Sequence, residues 1–336
     1  MKHSYHKKKQ SEDELELARF RRLTLSCWYL TGPTASGKSR TGITLARRLG
    51  AEIISLDSMA IYREMDIGTA KMLPEERGGI PHHMIDIVDP SEEYSLAQYV
   101  RDASNKIDEI QLRGKAVLFV GGTPLYLKGM LRGVFEGPPT DHEFRAQLLR
   151  KMEGNPPELL HKLLKKVDPA TAKRLHPNDV RRIVRALEVY EKTGKPISFF
   201  QKQFEFGTPA SQCQVYVLQT PREELYARIN KRVDRMIYEG FLDEVRLLAE
   251  RKVPISKTAR QALGYKELFD YIEGKMKYGQ AVDLIKQNTR NFAKRQETWF
   301  RSLVECRFTS SEKPEFEGIK DENEEESEQE QQPAES

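Results

Sequence analysis

Apolar positions along the chain fall into short continuous runs separated by stretches of helical period. The run Leu25 to Leu30 reads as a strand, and Thr41 to Leu49 behind it alternates apolar and polar residues at helical spacing. Glu52 to Leu56, with Ile53 and Ile54, predicts a second short strand. Ser95 to about Leu112 predicts a helix, Lys115 to Val120 a buried strand, and Leu125 to Leu131 a further helix. Ala60 to Lys71 has no clear period and reads as a long loop. This βαβαβ order predicts an α/β fold with a parallel sheet flanked by helices. From Pro138 to Phe206 the spacing is helical and no strand stands out. The sheet resumes at Gln214 to Gln219. Helices over Arg222 to Glu239, Leu242 to Arg251, Lys257 to Ile272 and Gln280 to Arg301 follow, before a short strand near Val304 to Phe308.

The expected organisation is therefore a disordered or loosely helical basic arm over 1–22, a first core segment over 23–137, a helical insertion over 138–206, a second core segment over 207–309 and a tail over 310–336. Charge sharpens this division. The 336 residues carry a net charge of +4, but from Ser310 onward eleven acidic residues face only Lys313 and Lys320. The preceding 309 residues then hold 53 basic and 40 acidic side chains, a balance of +13, which suggests a polyanionic partner. The Glu/Gln/Ser-rich tail has too little apolar surface to order itself. Met1 to Arg22 has no apolar targeting segment and no later run approaches a membrane span, so a cytoplasmic protein without membrane contact is expected. His3 and His6 lie in a lysine-rich arm at irregular spacing and read as solvated. Cys27, Cys213 and Cys306 are far apart and suggest packing rather than zinc or disulfides.

The chemistry concentrates behind the first strand. Gly32-Pro33-Thr34-Ala35-Ser36-Gly37-Lys38-Ser39 fits the P-loop pattern in full. Glycines at both ends let the backbone curl so that successive N–H groups face an anion, on a helix N-terminus that adds partial positive charge. Lys38 adds a mobile cation and Ser39 a hydroxyl for Mg²⁺. The fold class is thus P-loop NTPase-like, with a helical insertion domain. Two adjacent phosphates belong here, whatever happens to them next. Asp57, at the end of the second strand, is compatible with a Mg²⁺ ligand, a general base or a turn residue. His82 and His83 face opposite ways on a strand and make poor co-ligands for one metal. Gly121-Gly122-Thr123 closes the Lys115 strand, with glycines that allow close approach to a ligand and a threonine placed to cap the next helix. In the insertion, Arg181 and Arg185 share a helix face. Arg228, Arg232 and Arg235 form a basic stripe on the helix after Gln219, whose N-terminal half can reach the P-loop. Tyr265 and Trp299 read as core, although Gly264-Tyr265-Lys266 can present a ring to a base.

The runs GPTASGKS, ISLDSMAIYREMDIGTAK, IPHHMIDIVDP, GGTPLYLKGMLRG, HPNDVRRIVRALEVYEKTGKP, ALGYKE and TRNFAKRQETWFR together cover nearly the whole core. On them the chain from Leu30 to about Phe308 resembles the bacterial tRNA dimethylallyltransferase (tRNA isopentenyltransferase) family. The resemblance implies transfer of a dimethylallyl group from dimethylallyl diphosphate to the exocyclic amine of the adenosine 3′ to the anticodon. It implies Mg²⁺, the anticodon stem-loop of tRNA as partner, and a monomer. It assigns Asp57 as base, with Thr123 and Arg232 also catalytic. The diphosphate falls to Gly32, Thr34, Ala35, Ser36, Gly37, Lys38, Ser39 and Arg232, and the metal to Ser39. The tRNA falls to Asp57, Ser58, Met59, Ala60, Thr123, Arg145, Arg181, Arg182, Ile183, Val184, Arg185, Gln261, Gly264, Tyr265 and Lys266. Ser39, Ala60 and Pro124 stand where threonine, glutamine and glycine are usual. The competing readings are a small-molecule P-loop kinase, an RNA-binding NTPase and an isopentenyltransferase acting on free AMP. The first leaves the basic insertion without purpose, the second predicts nucleotide-gated RNA binding without prenyl transfer, and the third makes the insertion superfluous.

Overall fold

In the computed structural model the described residues are 17–135, 137–156, 158–201 and 207–319. Arm residues 1–16, with His3 and His6, and tail residues 320–336 lie outside them. The sheet consists of β1 (Trp28–Thr31), β2 (Ala51–Ser55), β3 (His82–His83), β4 (Ala116–Gly121), β5 (Gln214–Gln219) and β6 (Arg307–Ser310). It is parallel throughout, in the order β3-β2-β4-β1-β5-β6. All-parallel strands are buried on both faces, which is why β4 reads as an almost unbroken apolar run and every residue of β2 is buried, Glu52 and Ser55 included. β4 slots between β1 and β2, so the carboxyl ends of these three strands stand side by side. In an open α/β sheet that crevice is where ligands sit.

The described residues fall into two compact units, one within 1–131 and 208–336 and one within 132–207. The first contains α1 (Lys38–Leu49), α2 (Leu96–Leu112) and most of α3 (Pro124–Arg132). The second is helical, with α4 (His142–Lys151), α5 (Glu158–Val167), α6 (Pro169–Arg174), α7 (Val180–Thr193) and α8 (Ile197–Gln201). The first unit resumes with α9 (Arg222–Tyr238), α10 (Phe241–Ala249), α11 (Lys257–Arg260), α12 (Tyr265–Ile272) and α13 (Tyr278–Arg301). Leu30, Ile53, Leu118 and Leu218 of the sheet pack on Leu45 and Ala46 of α1. A second apolar cluster joins Ile61, Tyr62 and Met65 to Phe241, Tyr265, Leu268 and Ile285.

Three boundaries differ from the sequence expectation. Residues 17–25 are helical, so the helical alternative for the arm holds over 17–22, but the helix runs on to Leu25, where a strand was expected to begin. Leu17, Phe20 and Leu23 form a stripe among the charges, and the chain behind them is pinned by the Tyr29 hydroxyl, which donates to Thr24 O at 2.9 Å. The single helix expected over Lys257 to Ile272 is two, because Gly264 takes φ +86° and the buried Glu267 carboxylate accepts its N–H at 2.9 Å. A Cβ at Gly264 would lie 2.7 Å from the Phe241 ring. Finally, the residues just past Ser310 are held rather than free. Phe316 packs edge-on against Tyr216, and the Glu317 N–H donates to the Tyr216 hydroxyl at 2.9 Å.

The loop over 60–71 is firmly held. Glu244 accepts the N–H groups of Asp66, Ile67 and Gly68 at 2.8, 2.7 and 3.1 Å, and its other ligand is the Tyr265 hydroxyl at 2.6 Å. Lys71 pairs with Asp66 and Asp86 and donates to Tyr62 O. Backbone donors that would otherwise face water are thus satisfied by side chains from a distant helix.

Candidate active site

The P-loop turns out of β1 with Ala35 at φ 64° and Gly37 at φ 89°, the left-handed region in which glycine is least strained. Gly37 N-caps α1, and neither a side-chain cap nor an acidic residue occupies the first turn. The amide donors and partial positive charge of that helix end therefore stay available to an anion. Ser36 Oγ is buried in the same turn without a hydrogen-bond partner among the described residues, an orphaned polar atom inside the nest.

Two cations converge here. Lys38 Nζ donates to Pro33 O at 3.2 Å, and Arg232 Nη1 donates to Thr34 Oγ1 at 3.1 Å. Neither side chain makes an ion pair among the described residues. Removal from water, then the neighbouring Arg232 charge, lower Lys38 to about 8, with Asp57 opposing. Burial likewise lowers Arg232, with Asp57 again opposing. The other arginines of the expected stripe do not join it: Arg228 pairs with Glu224, and Arg235 with Glu239 at 2.7 Å. Arg232 differs because it lies beside Ile229 and Val233 on the inward face of α9.

The ends of β2 and β4 form the opposite wall. Leu56 N–H donates to Val120 O at 2.9 Å and Thr123 N–H to Leu56 O at 3.1 Å. The Thr123 hydroxyl accepts the Ser58 N–H at 3.1 Å, so this threonine links the two strand ends in addition to starting α3. Asp57 Oδ1 accepts the N–H groups of Met59 and Ala60 at 2.8 and 3.3 Å, a local turn that holds the carboxylate in place. Its second oxygen carries no hydrogen bond among the described residues. Gly121, the last residue of β4, and Gly122 beyond it both line the cavity described below, and packing as well as ligand approach requires them to be glycine. A Cβ on Gly121 would meet Leu56 O at 2.2 Å, and one on Gly122 would meet Gln296 Nε2 at 2.7 Å. Gly121→Ala should lower stability by about 1–3 kcal/mol through overpacking, read as a shifted urea midpoint; an unchanged midpoint would contradict this close approach.

A cavity of about 440 Å³ lies between these walls. Of the residues singled out from sequence, Thr34, Lys38, Ser39, Asp57, Ser58, Met59, Ala60, Thr123, Arg232, Gln261 and Tyr265 line it. Gly32, Ala35, Ser36 and Gly37 shape the loop instead. Gly264 and Lys266 do not line the cavity, and Lys266 is exposed. Tyr265 is fully buried, edge-on to Phe241, with its hydroxyl on Glu244, so it closes the wall and does not offer a free ring face. Met72, Ile85, Ile229, Met236, Ile285 and Phe292 give the remaining wall an apolar part, beside polar Lys71, His82, Glu267, Thr289 and Arg295. The charged floor thus accepts an anion while the apolar part of the wall suits a small hydrocarbon group.

In the helical unit, Arg181 and Arg182 are exposed. Ile183 and Val184 are not available to a partner, because they are 0% and 4% exposed in the core of that unit; a turn of α7 that carries two arginines outward must carry these inward. Arg145 and Arg185 both grip the buried Glu188 carboxylate, Arg145 at 2.9 and 2.8 Å and Arg185 at 2.5 Å. Burial alone would raise the Glu188 carboxyl, but the two guanidiniums and the Asp141 N–H hold it below its ordinary value. Their charges are therefore partly spent within the unit.

Sequence reasoning missed Gln296. It is 3% exposed on α13, its Oε1 accepts the Thr34 N–H at 2.9 Å, and its Nε2 donates to Gly122 O at 2.5 Å. The legible signal was a polar residue on an apolar stripe, since Thr289, Ala293, Gln296 and Phe300 recur at three- and four-residue spacing.

Comparison with known proteins sets this geometry in context. Residues 60–303 match the family described as IPP transferase, and residues 25–88 match that described as isopentenyl transferase. A tRNA dimethylallyltransferase of Symbiobacterium thermophilum is 52% identical over 273 residues, 81% of this chain and 85% of that protein. One of Thermotoga maritima is 47% identical over 275 residues, covering 82% and 89%. Among solved structures, the full-length tRNA isopentenylpyrophosphate transferase of Bacillus halodurans superposes with a TM-score of 0.62 at 40% identity, covering 85% of this chain and 90% of that one. A eukaryotic dimethylallyltransferase described as acting on tRNA gives 0.71 at 31% identity, covering 85% and 73%.

Proposed function

The chain belongs to the IPP transferase family, and from that premise we propose that its cavity transfers the dimethylallyl group of dimethylallyl diphosphate to the exocyclic amine of the adenosine 3′ to the anticodon in tRNA. One observation carries the reading. Lys38 and Arg232 bring two half-buried cations onto one P-loop with no carboxylate paired to either among the described residues. Uncompensated charge of that kind is costly unless an anion arrives to meet it, and a diphosphate is an anion of the right size and charge.

The P-loop amides, Lys38 and Arg232 hold the diphosphate and oppose the negative charge that grows on it as the allylic C–O bond breaks. The apolar wall takes the five-carbon chain and excludes water from its electrophilic carbon. The flipped adenine presents its amine to that carbon; the N–C bond forms as diphosphate departs, and Asp57 accepts the amine proton through its free oxygen. Thr123 orients Ser58 and so the Asp57 turn. A divalent ion fits the donor set in a limited way: the Ser39 hydroxyl and the Asp57 carboxylate share the cavity, and no group of three metal-ligating acids, histidines or cysteines occurs among the described residues. That suits Mg²⁺, which is held by one or two protein oxygens plus phosphate and water and would supply further charge neutralisation of the leaving group. No helix among the described residues is long and apolar enough to cross a membrane.

Incubation with unmodified tRNA and dimethylallyl diphosphate, followed by nucleoside mass analysis, should reveal a prenylated adenosine and released diphosphate. Phosphoryl transfer from ATP without tRNA, or prenylation of AMP in place of tRNA, would overturn the proposal. The exposed Arg181 and Arg182 are proposed to meet tRNA phosphates. Replacing both with alanine should weaken tRNA binding and flatten the slope of log affinity against log salt by roughly 1 to 2. An unchanged slope in a salt titration would remove this helix from the RNA surface.

A further inference from the structure

We propose that Gln296 is a positioning residue for the transfer step, fixing the donor-holding loop to the strand end that carries the acceptor side of the site. The inference rests on the reaction proposed above. Gln296 comes from α13, 262 positions from Thr34, and is almost wholly buried. Its amide makes two bonds of opposite sense: Oε1 accepts the Thr34 N–H at 2.9 Å, and Nε2 donates to Gly122 O at 2.5 Å. No other side-chain type of this length offers an acceptor and a donor in one rigid plane. Gly122 has no room for a side chain on this side, with Gln296 Nε2 only 2.7 Å from where a Cβ would sit. Thr34 is meanwhile tied from another helix by Arg232 at its hydroxyl, 3.1 Å away.

The bridge has a consequence for chemistry. The residue after Gly122 is Thr123, whose hydroxyl accepts the Ser58 N–H, and Ser58 follows Asp57. One amide therefore connects the loop proposed to hold the leaving diphosphate with the turn proposed to hold the base. β1 and β4 are already paired as far as Thr31 and Gly121, and beyond that pair the Gln296 side chain hydrogen-bonds the two loops to each other. Transfer needs electrophilic carbon, amine and base in near-attack geometry, and misplacement by about 1 Å is worth on the order of 10²-fold in rate.

The test compares Gln296→Met, which keeps volume and removes both bonds, with Gln296→Glu, which keeps an acceptor for Thr34 but loses the amide donor to Gly122. Single-turnover prenyl transfer is measured at saturating tRNA and dimethylallyl diphosphate, per folded molecule as judged by thermal unfolding. Direct titrations give the affinities for tRNA and inorganic diphosphate. Gln296→Met should lower the saturated rate by about 10²-fold while tRNA affinity is unchanged and diphosphate affinity falls much less than the rate. Gln296→Glu should also be slow. Rates per folded molecule near wild type in either variant would overturn the proposal, as would rate losses that only follow a lost folded fraction or lost diphosphate affinity. An inactive wild-type protein would instead count against the proposed function, which keeps the two failures distinct.

Discussion

Asp57→Asn should slow prenyl transfer by about 10² to 10⁴ while leaving tRNA and donor affinity nearly intact. The substitution keeps the oxygen that accepts the Met59 and Ala60 N–H groups at 2.8 and 3.3 Å, so the turn survives. What it removes is the second carboxylate oxygen, the one without a partner in the turn, and with it the capacity to take the amine proton. The experiment separates the three roles that a carboxylate at this strand end can play. A general base gives a slow enzyme with normal affinities at saturating substrates. A metal ligand gives weakened, Mg²⁺-dependent donor binding that excess Mg²⁺ partly restores. A residue that only shapes the turn gives near-normal single-turnover transfer, because asparagine fills that role almost as well, and that result would refute the base assignment.

Lys38→Ala and Arg232→Ala should each cost about 10² to 10³ in turnover and weaken diphosphate binding, with tRNA affinity largely spared. The reason is geometric: both charges point at the P-loop, Lys38 beside Pro33 O and Arg232 beside Thr34 Oγ1. A variant that lost tRNA binding but kept donor affinity would contradict the assignment. Lys38 also carries a pH signature. Removal from water and the Arg232 charge lower it to about 8, so in the free protein it is charged below that pH and loses its proton above it. Donor affinity should hold steady on the acid side of pH 8 and then fall by up to about tenfold per unit as pH rises, a decline that Lys38→Arg should abolish. Stability runs in the opposite direction. Between about 8 and the ordinary 10.5 the unfolded chain binds more protons at this lysine than the folded one, so without ligand the fold gains stability as pH rises through that window.

These expectations draw on parts of the molecule that differ in how far the amino-acid order alone discloses them. The P-loop was legible because its chemistry is local: eight consecutive residues set the turn, the nest and the helix start, and both flanking elements obey short-range periodicity. The parallel sheet followed from the alternation of strands with helices. The extent of the helix over 17–25 was not legible, since its three apolar positions are outnumbered by charges and gain meaning only against Thr24 and Tyr29. The break at residues 261–264 escaped for a similar reason. An isolated glycine in a helical pattern is tolerated, and the helix ends there only because Phe241 and Glu267 occupy the space and the hydrogen bond around Gly264.

Among the arginines the limit is sharper. Arg228, Arg232 and Arg235 look alike in sequence, yet two spend their charge on glutamates of their own helix and one faces the cavity. Arg145 and Arg185 read as a surface for a polyanion, while the fold turns them partly inward onto Glu188. By itself the sequence determined the α/β class, the anion nest at Gly32 to Ser39, the acid at the end of the second strand and the family resemblance, because each is written in residues a few positions apart. Only the tertiary structure decided which arginine meets the nest, that Ile183 and Val184 are core, that Gly121 and Gly122 make room for Leu56 and Gln296 as well as lining the cavity, and that Gln296 spans 262 positions to join Thr34 to the end of β4. Those facts depend on which atoms are brought within hydrogen-bond or van der Waals reach by chain folding, and no local pattern encodes that proximity.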